Sequence, residues 1–172
     1  MLFAIIYIAA TLAANYTATW FIFFPFFGQV SIATFIFGIT FTARDRVHHQ
    51  LGRNNVYKMI AVAAVLNLIV TIAGGVEWRI VAASLTAIIL AETADTEIYQ
   101  HFIDNTWGMR VFKSNSVSIP LDSLLFNLIA FAGVFSNREV ASIIFGEIVF
   151  KGLVSAILAI RPLIFIRSHF KR

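Results

Sequence analysis

The sequence has no cysteine, and only 13% of its 172 residues are charged. Without cysteine, the chain cannot form a disulfide, use a thiolate as a nucleophile or ligate a metal through sulfur. Soluble proteins carry roughly twice this share of charged residues. The chain also lacks a Walker A motif and a Gly-x-Ser-x-Gly elbow, so nothing indicates P-loop nucleotide binding or serine-hydrolase chemistry.

Apolar residues are abundant. They make up 59% of the chain, and the mean hydropathy is +0.84. Residues 1–43 contain no charge, which is enough chain for two membrane-spanning helices of roughly 20 residues each. The beginning lacks the positive charge of a signal peptide, and its apolar stretch is longer than a signal's core, so we interpret it as the first span. The sequence predicts one transmembrane domain over residues 1–172.

Six apolar segments predict an all-α integral membrane protein, a bundle of six transmembrane helices. Five of the spans are placed at residues 2–23, 29–46, 56–73, 114–134 and 138–166. The break after the first span falls at Pro25, and Gly74 with Gly75 ends the third. The remaining segment, span four, begins at Ile80.

Residues typical of helix ends support these boundaries. Gly52 suits the C-cap of span two, and either Asn54 or Asn55 suits the N-cap of span three. We therefore expect a polar loop between these two spans. Ser136 and Glu139 form a capping-box pattern at the beginning of span six.

Span four is the least obvious of the six. Its apolar part, from Ile80 to Ala91, crosses only about half a membrane before it meets Glu92, Asp95 and Glu97. Either the helix continues with buried carboxylates, or the segment does not cross. We favour a crossing helix because of the distribution of basic residues.

With six spans, the basic residues fall unequally on the two sides of the membrane. One side holds Arg44, Arg46, Arg53, Lys58, Arg110, Lys113, Arg167, Lys171 and Arg172. The other side holds Arg79 and Arg138, with Trp20 and Trp78 nearby, whereas Trp107 lies near the basic side. The positive-inside rule then predicts that both termini are cytoplasmic, and interfacial tryptophans fit the same boundaries.

Ionisable residues inside the spans are candidates for function. Each costs roughly 2.5–3.5 kcal/mol at the centre of a membrane, so such residues persist where they face a cavity or a partner. The first cluster consists of Glu92, Asp95, Thr96 and Tyr99. These side chains share one face of a helix and could accept hydrogen bonds from a solute or hold a proton. Alternatively, they pair with Arg110 or with other helices, and Glu97 points away from them toward solvent.

The second cluster lies in span five. Asn115, Ser118 and Asp122 share a helix face, and Asn127 is a further candidate on the same span. Pro120 has no N–H group, which leaves a backbone carbonyl without its helical partner. Irregular backbone at this depth is tolerated beside a cavity or inside protein. We expect Asp122 to lie across a solute cavity from Glu92. The alternative is a kink held by hydrogen bonds between helices.

For two further groups of residues, the spacing favours a structural role over a functional one. Glu147 and Lys151 have the i,i+4 spacing of an ion pair within one helix. Glu97, His101 and Asp104 also have helical spacing, but without a His-Glu-x-x-His motif we expect no metal and no cofactor.

Three segments taken together resemble the vitamin uptake transporter family, which includes the queuosine-precursor transporters. The segments are FTARDRVHHQLG, ILAETADTEIYQ and RVFKSNSVSIPLDSLLFNLIAF. The positions that match the family pattern are Asp45 and Gly52, then Glu92, Asp95 and Thr96, then Ser118, Asp122, Ser123 and Phe126. The order and spacing of the three segments are more specific than any one of them.

The resemblance implies a six-helix inner-membrane protein, similar to the substrate-binding subunits of energy-coupling-factor transporters. It implies uptake of 7-cyano-7-deazaguanine or a related deazapurine. A close alternative is the binding subunit of an ATP-driven complex with a separate energy-coupling partner. A membrane-embedded enzyme is a third reading, but the sequence offers no convincing nucleophile–base pair. We therefore expect a transporter rather than an enzyme.

Overall fold

The structure is a computed structural model that describes residues 2–25 and 28–169, with side chains as far as Ile157. Within these residues the chain forms six helices and one β-hairpin. They are α1 (Leu2–Tyr16), β1 (Phe21–Phe24), β2 (Gly28–Ser31), α2 (Ile32–Leu51), α3 (Arg53–Ala73), α4 (Trp78–His101), α5 (Trp107–Phe131) and α6 (Asn137–His169). The predicted all-α bundle of six helices is confirmed, with the hairpin as an addition.

Helix α4 crosses the full height of the bundle, as predicted. At one end, Arg53 at the beginning of α3 pairs with Glu97 near the end of α4, at 2.7 Å. At the other end, Arg79 donates a hydrogen bond to the carbonyl of Ala132 just after α5, at 2.7 Å. Short connections therefore alternate between the two ends of the bundle. Of the basic residues counted above, Lys171 and Arg172 lie outside the described residues, as does the side chain of Arg167.

Two of the described helices are long and apolar enough to cross a membrane by length and composition, Arg53–Ala73 and Asn137–Ile157. Only about a third of each stretch is buried inside the protein. The outer face of α3 exposes a set of aliphatic side chains, Val62, Val65, Leu68, Ile69 and Ile72. Such a face is suited to lipid rather than water. The other helices of the bundle carry buried polar groups, which lowers their apparent hydropathy.

The first predicted span is shorter than expected. Helix α1 ends at Tyr16, and the aromatic run from Phe21 pairs as a strand with β2 in an antiparallel hairpin. Phe21 packs edge-on against Phe131 and Phe135, with ring centroids 5.6 and 5.9 Å apart. An aromatic run followed by Pro25 and a glycine is a hairpin signal. The hairpin was not predicted because the segment is apolar throughout, like a membrane-spanning helix.

The predicted polar loop between spans two and three is wrong. Helix α2 continues to Leu51, and only Gly52 separates it from α3. Gly52 is the C-cap of α2, as predicted, with a φ of 79° that a side chain would disfavour. Asn54 and Asn55 lie inside α3 rather than at its N-cap. The helix can extend because Arg44 and Asp45, two of the charges that suggested a loop, are paired in the interior.

Helices α5 and α6 contain two features that were noted in the sequence, Pro120 and a capping box. Helix α5 is continuous through Pro120. The capping box before α6 is confirmed, because Ser136 donates to Glu139 Oε2 through its hydroxyl at 2.7 Å and through its N–H at 2.9 Å. Helices α2 and α6 approach closely at Gly38, where a Cβ atom would collide with Val154.

The interior also contains an unexpected polar ladder, a chain of hydrogen-bonded side chains. Asn15 donates to Asn67 at 2.7 Å, and Asn67 donates to Ser84 at 3.0 Å. This ladder joins α1, α3 and α4. Asn67 is fully buried, so its amide depends on these two partners.

Candidate functional site

The centre of the bundle is organised around the guanidinium of Arg44. Arg44 Nη1 lies 2.8 Å from Glu92 Oε2, and Nη2 lies 2.7 Å from Asp95 Oδ2. Asp45 Oδ1 accepts from Nη2 and Nε at the longer distances of 3.2 and 3.3 Å. All four residues are buried, with exposed fractions of 4% or less. We call Arg44, Asp45, Glu92 and Asp95 the Arg44 cluster.

Arg44 was counted among the basic residues on the cytoplasmic side, but its side chain is buried in the interior of the bundle. It lies inside α2 on a stripe at helical spacing with Phe37, Phe41 and His48, all of which are buried. Its guanidinium carbon lies 5.1 Å from the centre of the Phe41 ring. The helical spacing of residues 37, 41, 44 and 48 is the sequence signal that indicates an interior position for Arg44. The guanidinium, with five donors in a rigid fork, can bind several carboxylates at once.

The predicted inner face of α4 is confirmed. Glu92, Asp95, Thr96 and Tyr99 are all buried on the side that faces the bundle. Thr96 donates to the backbone carbonyl of Glu92 at 2.7 Å. Glu97 lies on the opposite side, nearly half-exposed, where it pairs with Arg53 and accepts from Tyr57.

Helix α5 contributes two predicted residues to the Arg44 cluster. Ser118 donates to Asp95 Oδ1 at 2.6 Å. The amide oxygen of Asn115 accepts from Arg44 Nη2 at 3.3 Å, and its amide nitrogen donates to Ser155 on α6 at 2.7 Å. Asn115 therefore connects the cluster to α6. The alternative partner considered for the α4 carboxylates, Arg110, instead lies over the ring of Tyr99 at 5.2 Å.

Asp122 belongs to a second charged group. Lys151 Nζ lies 2.8 Å from both Asp122 Oδ2 and Glu147 Oε2, and it donates to Ser123 at 3.2 Å. The predicted i,i+4 pair of Glu147 and Lys151 is confirmed. The expectation that Asp122 opens onto a cavity shared with Glu92 is wrong, because Lys151 reaches across from α6 and seals the carboxylate. A buried carboxylate is stabilised by such a partner.

A cavity of about 470 Å³ lies between α5 and α6. Its walls are mainly apolar, and its lining, taken over the described residues, includes Val111, Phe112, Asn115, Ile119, Ile148 and Ser155 but neither Glu92 nor Asp122. Ligand pockets have volumes of roughly 300–1,000 Å³ with a few polar groups among apolar walls. Asn115 is the residue at which this cavity meets the Arg44 cluster.

Aromatic side chains lie at the end of the bundle where α2 and α4 finish. The rings of His48 and Tyr99 are 4.4 Å apart, and the ring of Trp107 lies 6.1 Å from Tyr99. His48 Nε2 lies 2.9 Å from Gln100 Oε1. Tyr99 thus separates the Arg44 cluster from the partly exposed end of the bundle.

Several buried polar atoms have no hydrogen-bond partner among the described residues. They include Asp45 Oδ2, the hydroxyl of Tyr99, Arg110 Nε, Trp107 Nε1 and Asn127 Oδ1. Asn127, a predicted site residue, donates only to the carbonyl of Ser123, at 2.8 Å. Buried polar groups are normally satisfied, so each of these unpaired atoms indicates a place where a proton, water or ligand can bind. No set of three His, Asp or Glu side chains in the described part of the chain is arranged to hold a metal.

The family described as "Putative vitamin uptake transporter" matches residues 31–166. The chain belongs to the vitamin uptake transporter family. The match covers helices α2 to α5 and nearly all of α6, including both charged groups. No curated protein and no solved structure matches the chain.

Membership of the vitamin uptake transporter family relates the buried charges to transport. The chain is a membrane transporter with a small-molecule substrate. Intramembrane ionisable residues in transporters mark substrate and ion pathways.

Proposed function

We propose that the chain imports a queuosine precursor, 7-cyano-7-deazaguanine or a related deazapurine, across the inner membrane. One observation carries the proposal. The segments that resemble the queuosine-precursor transporters are far apart in sequence, yet their polar residues meet at one place. Asp45 of the first segment, Asp95 of the second and Ser118 of the third are all within one hydrogen-bonded group around Arg44.

The chemistry of this group suits a deazaguanine. Such a base offers amino and ring N–H donors, and carboxylates with an asparagine amide supply matching acceptors. In this structure Arg44 already occupies the carboxylates of Glu92 and Asp95. Substrate binding therefore exchanges partners, with substrate N–H groups replacing part of the guanidinium contacts. A site of buried polar groups discriminates strongly, because a wrong ligand leaves them unpaired.

The cavity between α5 and α6 supplies space for such a ligand beside the Arg44 cluster. Its apolar walls suit the flat face of a base, and Asn115 is common to the cavity and the Arg44 cluster. We propose substrate contacts for Glu92, Asp95, Thr96, Tyr99, Asn115, Ser118 and Asn127, whereas Asp122 stays paired with Lys151. Asn115 is the first of these that a ligand in the cavity would meet.

Uptake by a dependent strain tests the proposal. The strain should lack synthesis of the precursor, so that queuosine in its tRNA depends on imported 7-cyano-7-deazaguanine. Expression of the chain should restore queuosine, and the purified protein should gain thermal stability with this base but not with adenine. Absence of both effects would rule out the deazapurine.

Variants of α4 provide a matched comparison within this experiment. Glu92→Gln should fold, because Arg44 retains Asp95 and Asp45, but uptake should be lost. Glu97→Gln, on the exposed side of the same helix, should transport normally. Normal uptake by both Glu92→Gln and Asp95→Asn would place the substrate elsewhere.

The alternative is the substrate-binding subunit of an ATP-driven uptake complex. It requires a docking surface for a partner membrane protein, for which small residues on α3 are candidates. Ala61 is exposed there, whereas Ala63 is buried within the bundle. Transport by the purified chain alone in vesicles would argue against this alternative, and co-purification with an ATPase would favour it.

A further inference from the structure

The carboxylates of the Arg44 cluster outnumber the positive charges that face them. Within the described residues, three buried carboxylates surround one guanidinium. Arg110 lies nearby, over the ring of Tyr99. When its positive charge is added to that of Arg44, one of the three carboxylates still has no compensating charge. An unpaired charge in a low-dielectric interior is costly, and a carboxyl group there becomes neutral by binding a proton.

Asp45 is the member of the cluster with the weakest contacts. Asp95 binds Arg44 at 2.7 Å and accepts from Ser118 at 2.6 Å, and Glu92 binds Arg44 at 2.8 Å. Asp45 uses only Oδ1, at 3.2 Å or more. Its Oδ2 is buried and has no hydrogen-bond partner in the described structure. A proton on Oδ2 removes one negative charge and leaves the contacts of Oδ1 in place.

The surroundings of Asp45 offer a route to water. Tyr99 lies close enough to Asp45 for the two groups to interact electrostatically, and the Tyr99 hydroxyl also lacks a hydrogen-bond partner among the described residues. The ring of Tyr99 packs on His48, which lies one helical turn after Asp45 and contacts Gln100 at 2.9 Å. Gln100 is partly exposed at the end of the bundle. Tyr99 and His48 are therefore the protonatable side chains that lie between Asp45 and this end of the bundle.

The other titratable and charged groups facing this route come from every neighbouring helix. Tyr7 of α1 lies beside Glu92, and Arg110 of α5 lies over Tyr99. Asp122 of α5, with its partner Lys151 of α6, lies close enough to influence Glu92. The second charged group, Asp122, Glu147 and Lys151, contains two carboxylates and one amine, so it does not neutralise the Arg44 cluster.

We propose that Asp45 is a proton-binding site, reached through His48, and that release and rebinding of its proton couple transport to a proton gradient. In the proposed orientation His48 leads to the cytoplasm. The substrate competes with Arg44 for the carboxylates of Glu92 and Asp95. Substrate binding and loss of the proton from Asp45 are therefore linked, because both change the contacts of the same guanidinium. The coupling rests on the proposed function, whereas the proton site does not.

Infrared spectroscopy of the purified protein in lipid tests the proton site without any substrate. Wild type should show the carbonyl stretch of a protonated carboxyl group at neutral pH. Asp45→Asn should lose this band, and Asp104→Asn, which removes an exposed carboxylate, should keep it. A spectrum without the band, or a band that persists in Asp45→Asn, would overturn the proposal.

Stability adds a second measurement. An amide has the shape of a protonated carboxyl group, so Asp45→Asn should leave the melting temperature nearly unchanged. Asp95→Asn removes a charge that Arg44 and Ser118 both bind, and it should lower the melting temperature clearly. Failure of Asp45→Asn to fold would show that Asp45 is needed as an anion, against the proposal.

Coupling is measured in vesicles containing the purified chain and radiolabelled 7-cyano-7-deazaguanine. An acidic exterior should raise the initial rate of uptake severalfold, and a protonophore should abolish the increase. His48→Gln should reduce the response, whereas His49→Gln, at the exposed neighbouring position, should retain it. An uptake rate that does not change with the proton gradient would overturn the proposed coupling but would leave the proposed transport function standing. A complete lack of uptake would count against the transport function, with the proton site still decided by the infrared band.

Discussion

At the scale of single residues, Arg44 gathers buried polar contacts from three helices of the bundle. One guanidinium binds groups from α2, α4 and α5, and Asn115 extends the connection to α6. The side chain is 1% exposed, so these contacts replace all of its hydration. Removal of such a charge leaves its partners buried and uncompensated.

Replacement of Arg44 by glutamine should therefore destabilise the fold strongly. We expect a loss of about 3–5 kcal/mol, the range for removing one partner of a buried ion pair. The measurement is thermal or denaturant unfolding in detergent. Arg53→Gln is the control, because Arg53 and Glu97 are both nearly half-exposed and their pair contributes little. Equal losses for the two variants would contradict the central role of Arg44.

The residues of the site were predictable where one helix determines them. Glu92, Asp95 and Tyr99 share a face by helical geometry alone, and the structure confirms that face. Arg44 was missed because its burial depends on carboxylates 48 and 51 positions later in the chain. The seal on Asp122 was missed for the same reason, since Lys151 reaches it from another helix. Sequence spacing predicts which residues are neighbours within one helix, but it does not predict contacts between helices.

At the scale of secondary structure elements, helix contacts depend on a few small or polar side chains. Gly38 lets α2 approach α6, because a Cβ atom there would meet Val154. Gly152 on α6 has open space instead, at the wall of the cavity between α5 and α6. The two glycines therefore differ in what they contribute to packing.

Gly38→Ala and Gly152→Ala form a matched pair of variants. Gly38→Ala should lower the free energy of unfolding by about 1–3 kcal/mol through overpacking. Gly152→Ala should be neutral or slightly stabilising, since alanine favours the helix and meets no obstruction. Unfolding in detergent measures both. A neutral Gly38→Ala would mean that α2 and α6 can separate without loss.

The ladder of Asn15, Asn67 and Ser84 gives a second test at this scale. Asn67→Ala removes two buried hydrogen bonds that join α1, α3 and α4. We expect a loss of about 1–2 kcal/mol, typical of polar contacts between membrane helices. The control is Asn54→Ala at an exposed position of α3, which should leave the melting temperature unchanged. A similar result for both variants would show that the ladder does not stabilise the bundle.

The fold was predictable to the level of helix number and the crossing of α4. The hairpin was not, because strands and helices of apolar residues have the same hydropathy. The end of α2 was also mistaken, since Arg44 and Asp45 look like loop residues until their partners are known. Length and polarity identify spans reliably only where the helix faces lipid.

At the scale of the whole molecule, the two ends of the bundle differ in charge. Exposed Arg53 and Lys58 lie at the end where α2 and α4 finish, and Arg138 is exposed at the opposite end. Reporter fusions in the segment between α4 and α5, at Asp104, should score cytoplasmic. Fusions at Ser136, between α5 and α6, should score periplasmic. The opposite pattern would invert the orientation and place the His48 route on the outer side.

The Arg44 cluster also has a consequence for synthesis in the cell. Arg44 leaves the ribosome well before Glu92 and Asp95, so α2 reaches the membrane carrying a guanidinium with only Asp45 beside it. A lone arginine near the middle of a helix inserts poorly. We therefore expect α2 to stay at the protein-conducting channel, or to be held by an insertion chaperone, until α4 has been translated. The first four helices would then enter the lipid together rather than one at a time.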